Sequence, residues 1–252
     1  MLKTYGEDFL YTQRLIASYR KHNSDDIPLY VVVPRADLGK FATFEGVDIE
    51  TLAEESVTDC LVSDDSVFGI RPGYINQEII KLAFWELDLC DNYLCLDSDA
   101  EFIRDFYFAD FMHDENTPFS VLVEDNELAV DPEYYNEHWI GRSKLLEVIK
   151  QELGVEDRRT LTCHNKTIFS AKVLKTFKEK YLLPRGYTYV GPLKKSPYEF
   201  SWYNFWLQKD KTIPIVFREP LFKIFHSKNQ HLEYLRKKSQ SKILQEATLV
   251  SS

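Results

Sequence analysis

Tyr93-Leu94-Cys95-Leu96-Asp97-Ser98-Asp99 runs from apolar residues straight into two carboxylates spaced i, i+2. In extended backbone that spacing turns both side chains to one face. Two oxygen ligands at the tip of a buried strand suit a hard divalent cation, Mg²⁺ or Mn²⁺, which can hold a diphosphate in turn. The plain alternative is a solvated turn after a strand. His226 follows the β-like run Phe222-Lys223-Ile224-Phe225. A neutral imidazole there would complete a site for a Mn²⁺-type ion, with a surface histidine as the alternative.

Three further groups carry polar chemistry. Gln77 and Lys81, four apart, share one face of a predicted helix and would offer an amide and a cation to a nucleotide sugar. Glu199 stands among aromatics in Pro197-Tyr198-Glu199-Phe200-Ser201-Trp202-Tyr203. A carboxylate so placed tends toward a raised pKa and would serve as a general base; the alternative is a helix cap or a salt bridge. Trp202 would give a sugar ring a stacking surface, unless this aromatic face is core. In Cys163-His164-Asn165, His164 would meet an acceptor hydroxyl. The chain has no P-loop, no G-x-G-x-x-G and no G-x-S-x-G.

Strands and helices alternate in the part of the chain that must position these groups. Leu2–Tyr5, Ile27–Pro34 and Tyr93–Leu96 read as strands, with Val47–Thr51 and Thr58–Val62 as weaker ones. Helices are expected over Glu7–His22 and Ile75–Leu89. Alternation of this kind predicts an α/β fold with a mostly parallel sheet, where ligands bind beyond the carboxyl ends of strands. Farther on, Phe119–Val123, Ile213–Phe217 and Phe222–Phe225 read as strands, and Arg142–Leu153 and Ala171–Tyr181 as helices. Tyr181–Trp206 reads as loop with one short helix. The polar end, with Arg236, Lys237, Lys238 and Lys242, reads as a surface helix or an unstructured tail.

The 252 residues carry a net charge of −9, which speaks against nucleic acid as a partner. Seventeen Phe, fifteen Tyr and four Trp supply a core and leave a surplus for pockets. The four cysteines have no C-x-x-C spacing, which fits reduced thiols in a reducing compartment. With no apolar run of transmembrane length and no secretion signal, a cytoplasmic protein is expected.

In this order the pieces resemble the bacterial GT-A-type glycosyltransferases. The chain looks closest to a domain-of-unknown-function family of transferases from polysaccharide and cell-surface gene clusters. The resemblance covers most of residues 1–230. It rests on Leu2-Lys3-Thr4-Tyr5, the Pro34 turn, Pro72-Gly73-Tyr74 with Gln77 and Lys81, Asp97-Ser98-Asp99, Ser196-Pro197-Tyr198-Glu199-Phe200 and His226.

The resemblance implies a Rossmann-related three-layer fold with a mostly parallel central sheet. It implies one domain over 1–230, with a nucleotide-binding half at 1–110, an acceptor half at 111–230 and a basic tail at 231–252. By position, Asp97, Asp99 and His226 would hold Mn²⁺ or Mg²⁺ and the donor diphosphate. Thr4 and Tyr5 would lie at the nucleotide base, with Gln77 and Lys81 near the donor. Glu199 and Asp99 would be the catalytic carboxylates, and His164 and Trp202 would meet the acceptor. The implied partners are a nucleotide-sugar donor and a glycan or lipid-linked acceptor. The basic tail would allow peripheral contact with the inner face of a membrane. The resemblance is partial, because His226 lacks the Gly and Lys-Pro-Trp that follow it in some retaining families. Two competing readings are a haloacid-dehalogenase-type phosphatase, whose first Asp is a nucleophile, and a non-catalytic carbohydrate-binding module.

Overall fold

A computed structural model describes residues 1–122, 136, 140–157, 159–161, 166–219, 221–224, 232 and 249–251. The strands are β1 (Leu2–Lys3), β2 (Leu29–Val33), β3 (Ile49–Ala53), β4 (Asn92–Leu94), β5 (Ala100–Phe102), β6 (Phe119–Ser120), β7 (Ile168–Ser170), β8 (Val216–Phe217), β9 (Phe222–Ile224) and β10 (Leu249–Ser251). The helices are α1 (Phe9–His22), α2 (Leu38–Phe41), α3 (Glu54–Val57), α4 (Pro72–Ala83), α5 (Phe108–Phe111), α6 (Ile140–Leu153), α7 (Ala171–Phe177), α8 (Val190–Leu193) and α9 (Glu199–Asp210). They build two compact units that interleave along the chain, so no single cut near residue 110 separates them.

The first unit comprises Met1–Glu54, Cys95–Met112 and the described residues from Glu219 on. Its sheet, in the order β1-β2-β3, is parallel throughout. Leu29↔Ile49 to Val33↔Ala53 fixes one register and Leu2↔Val31 the other. Val31, Val32 and Val33 are fully buried, as a strand covered on both faces requires. On the far side of β1, Leu96 makes a single parallel bridge to Leu2, and its N–H donates to the Met1 carbonyl at 2.9 Å. The chain therefore leaves β1 in one direction toward β2 and β3 and later returns on the opposite side. That reversal is the topological switch point where α/β sheets hold ligands. Helix α1 packs on β5, with Tyr19 against Phe102 and Phe106. In a second sheet β10 lies between β5 and β9, antiparallel to β5 and parallel to β9. The expected C-terminal tail thus ends in a strand over its described residues 249–251.

The second unit comprises Glu55–Leu94 and His113–Arg218. In it β4 pairs antiparallel with β7, and β6 pairs parallel with β8. Helix α4 starts with Pro72 in its first turn, where the missing N–H costs nothing, and buries Ile75, Ile79, Ile80, Leu82 and Ala83. Helix α9 packs on α4, α6 and α7. Tyr93 meets Phe84 and Phe169 edge to face, and Phe169 lies 4.5 Å from Tyr203 between ring centres.

Two expectations need correction. Thr58–Val62 is no strand; it follows α3 as irregular chain. Tyr181–Trp206 holds α8 and most of α9, not one short helix. Pro197 sits just ahead of α9 and leaves the helix behind it intact.

Candidate functional site

The carboxyl edge of the parallel sheet gathers the residues that follow β1, β2, β3 and Leu96. The Thr4 N–H extends the ladder by donating to the Val32 carbonyl at 3.0 Å, and its buried hydroxyl meets that of Thr12 at 3.1 Å. Lys3 is buried with Glu54, its ammonium 2.8 Å from a carboxylate oxygen and 2.9 Å from the Thr4 carbonyl. Tyr5, Gly6, Glu7, Phe9, Leu10, Asp37 and Lys40 line an open cleft of about 750 Å³. Asp37 accepts the Gly6 N–H at 2.7 Å, and Lys40 donates to the Gly6 carbonyl at 2.6 Å while lying over the Phe9 ring. A Cβ at Gly6 would stand 2.7 Å from an Asp37 carboxylate oxygen, so any larger residue would displace that carboxylate.

Asp97 and Asp99 are half-buried at the same edge. The extended backbone ends at Asp97. Ser98 and Asp99 form a turn in which the Ala100 N–H donates to the Asp97 carbonyl at 3.1 Å. The shared-face argument for i, i+2 spacing therefore does not extend through Asp99. The turn is tied to α1, because the Ser98 hydroxyl donates to the Asp8 carboxylate at 2.7 Å. No three His, Cys, Asp or Glu side chains form a metal-holding group among the described residues. His226 and His164 lie outside the described residues.

The second unit holds the other expected residues. Gln77 is half-buried on α4. Lys81, one helical turn on, forms a buried ion pair with Glu199 at 3.0 Å and lies over the Phe200 ring at 4.5 Å. Glu199 opens α9, where a negative charge complements the helix dipole. Trp202 departs from the expectation of a sugar platform. It is fully buried, its indole N–H donates to the Ser196 carbonyl at 2.8 Å, and its ring packs on Phe177 and Tyr181. Aromatic residues at helical spacing fill the core here, so Trp202 is a packing residue.

Sequence reading missed Glu78. It falls three residues after Ile75 and four before Leu82, on the apolar stripe of α4, and that placement was the available signal. Its carboxyl is pushed well above the ordinary glutamate range by burial and by the Glu199 carboxylate, partly offset by Lys81, the Tyr74 hydroxyl and Arg142. Asp37 and Lys40 were missed as well; their signal was their place directly after the Pro34 turn that closes β2.

A family model described as "Family of unknown function (DUF6492)" matches residues 2–243. The chain belongs to DUF6492. No curated protein matches this DUF6492 member. Among solved structures it is similar to the apo form of mouse xyloside xylosyltransferase 1, at 8% identity and a TM-score of 0.51, over 100% of this chain and 96% of that one. It is also similar to the galactosyltransferase LgtC in complex with donor and acceptor sugar analogues. There the identity is 12% and the TM-score 0.52, over 99% of this chain and 85% of that one. At such identities the likeness shows the fold: mixed α/β of the GT-A type with a parallel sheet, as the sequence resemblance implied. No helix among the described residues is long and apolar enough to cross a membrane.

Proposed function

We propose that this DUF6492 member is a metal-dependent glycosyltransferase, moving a sugar from a nucleoside-diphosphate donor to a glycan or lipid-linked acceptor. The observation that carries the reading is the Asp97/Asp99 pair at the switch point of a GT-A-type sheet. The donor chemistry fits Mn²⁺ or Mg²⁺: two half-buried carboxylates at the carboxyl edge of the sheet. Asp97 and Asp99, with His226 as the expected third ligand, would hold the ion. A bound cation would offset the negative charge that develops on the departing diphosphate.

The chain's own residues supply binding and orientation. The cleft beside Tyr5, Phe9 and Asp37 offers an aromatic wall and a fixed carboxylate to a nucleotide base. Thr4 and Lys3 anchor the end of β1 and so hold that wall in place. Gln77 and Lys81 are carried as donor contacts by the sequence resemblance alone. Glu199 has its carboxylate on Lys81, so it enters as the group that aims the ammonium. A role as base toward the acceptor hydroxyl would require that pair to open. His164 remains the candidate for acceptor contact. Cytoplasmic surface-polysaccharide synthesis, with the basic tail touching a membrane, is the setting this reading favours.

Calorimetry with UDP, GDP, CDP and dTDP, each with and without Mn²⁺, tests the proposal. One nucleotide should bind in a metal-dependent way, and its sugar conjugate should be hydrolysed slowly to the diphosphate. Asp99→Asn should abolish metal-dependent binding at an unchanged melting temperature. Unchanged affinity in that variant would overturn the metal assignment. Binding with no turnover of any conjugate would favour a binding module.

A further inference from the structure

Glu78 is 2% exposed, and neither carboxyl oxygen has a hydrogen bond of ordinary geometry; the Tyr74 hydroxyl, one turn earlier on α4, approaches it as a weak donor. Both nearby cations are engaged elsewhere. Lys81 is 3.0 Å from Glu199 and lies over Phe200. The Arg142 guanidinium, from α6, lies 4.7 Å over the Tyr198 ring, with a long contact to the Ser201 hydroxyl. Both contacts end on the first turn of α9, which leaves Glu78 facing a carboxylate that already has its counter-ion. A buried carboxylate so poorly hydrogen-bonded is costly, and the cheaper state is the neutral acid.

We propose that Glu78 is a proton-holding positioning residue for the Lys81–Glu199 pair. Two carboxyl groups stand within electrostatic reach of one ammonium. Glu199 holds the short contact to that ammonium, and Glu78 takes the proton. The groups that face Glu78 are Tyr74 and Lys81 from α4, Arg142 from α6, and Glu199 from α9. With Glu78 neutral, the cluster carries one more positive charge than with Glu78 ionised. With Glu78 ionised, that charge is cancelled and Lys81 is divided between two anions. Titration of Glu78 therefore sets how strongly Lys81 can attract a phosphate-bearing ligand. The ligand part of this inference rests on the donor role proposed for Lys81; the proton on Glu78 does not.

Isotope-edited infrared spectroscopy of the whole protein at neutral pH, with labelled glutamate, reads the proton directly. A neutral carboxylic-acid band should be present and should vanish in Glu78→Gln. No such band, or a band unchanged in the variant, overturns the proposal without touching the glycosyltransferase reading. Urea unfolding gives a second readout that needs no ligand. The wild-type midpoint should fall as pH rises above the ordinary glutamate range toward the folded Glu78 value, because the unfolded chain ionises Glu78 there and the folded one does not. Glu78→Gln should remove that part of the fall; an identical slope in the two proteins counts against the proposal. For ligand binding, wild-type affinity for the Mn²⁺–nucleotide should weaken as pH rises through the Glu78 titration, and Glu78→Gln should remove that weakening. Wild type that binds no nucleotide would sink the functional reading and leave the first two readouts standing.

Discussion

Trp202 and Asp99 show where residue type alone decides chemistry and where it does not. A tryptophan beside a glutamate is equally consistent with a sugar platform and with a packed core. What separates the two is whether the ring faces are covered, and that depends on α7, distant in sequence. Here Phe177 and Tyr181 cover the ring, and the indole N–H is satisfied by Ser196. Trp202→Ala should therefore cost about 3–5 kcal/mol of stability. Chemical denaturation checks this, and a variant of normal stability that loses only acceptor affinity would restore the platform. Asp99 is the opposite case. The apolar run before it correctly marked the end of a buried segment, because a strand covered on both faces must be continuously apolar. The turn at Ser98 was not legible, since it is held by Asp8, ninety residues away in sequence. Glu78 was hidden for a related reason: a lone carboxyl on an apolar stripe is noticed only once its neighbours' partners are known.

Elements with strong local signals emerged close to expectation. β2 is a valine run closed by Pro34, and α1 and α4 carry helical apolar stripes. Thr58–Val62 failed because β-branched residues without a partner strand do not make a strand. The cleft between the β1–α1 and β2–α2 connections was not visible in the sequence, because it exists only once the register Leu2↔Val31 sets Gly6 against Asp37. That connection makes its own prediction. The Gly6 N–H is held by the Asp37 carboxylate and its carbonyl by Lys40, so the loop is clamped from one side. An added methyl meets the carboxylate at 2.7 Å and forces Asp37 away from both the loop and the cleft. Gly6→Ala should weaken nucleotide binding about tenfold or more while costing about 1–3 kcal/mol of stability. Calorimetry and a melting curve on the same sample measure both. Full affinity would mean that nucleotides bind elsewhere.

Across the molecule, a charge of −9 leaves anionic ligands to local cations or a bound metal ion, and it also shapes stability against pH. All four tryptophans fall within the second unit's stretch of chain, so tryptophan fluorescence reports that unit's unfolding. Two kinds of carboxyl act on it in opposite directions. The Lys195 ammonium donates to Glu152 at 2.8 Å and, despite partial desolvation, holds its carboxyl below the ordinary range. A lowered folded pKa adds stability that is present above the unfolded value and is lost as pH falls through the folded one. Burial pushes Asp210 up, but bonds from Lys180, Thr212 and Thr176 more than offset it, and its contribution has the same sign. Glu78 is raised, so its contribution is full below the unfolded glutamate value and is lost as pH rises toward the folded one. The unit should thus be most stable at mildly acidic pH, with one limb set by Glu152 and Asp210 and the other by Glu78. Glu152→Gln isolates the acid limb. Against wild type, its urea midpoint should be lower near neutrality, where the Lys195 bond is charge-assisted. The two midpoints should converge as pH falls below the folded Glu152 value, because wild type then loses the same bond. A constant offset at every pH would mean that the residue contributes by packing and not by charge.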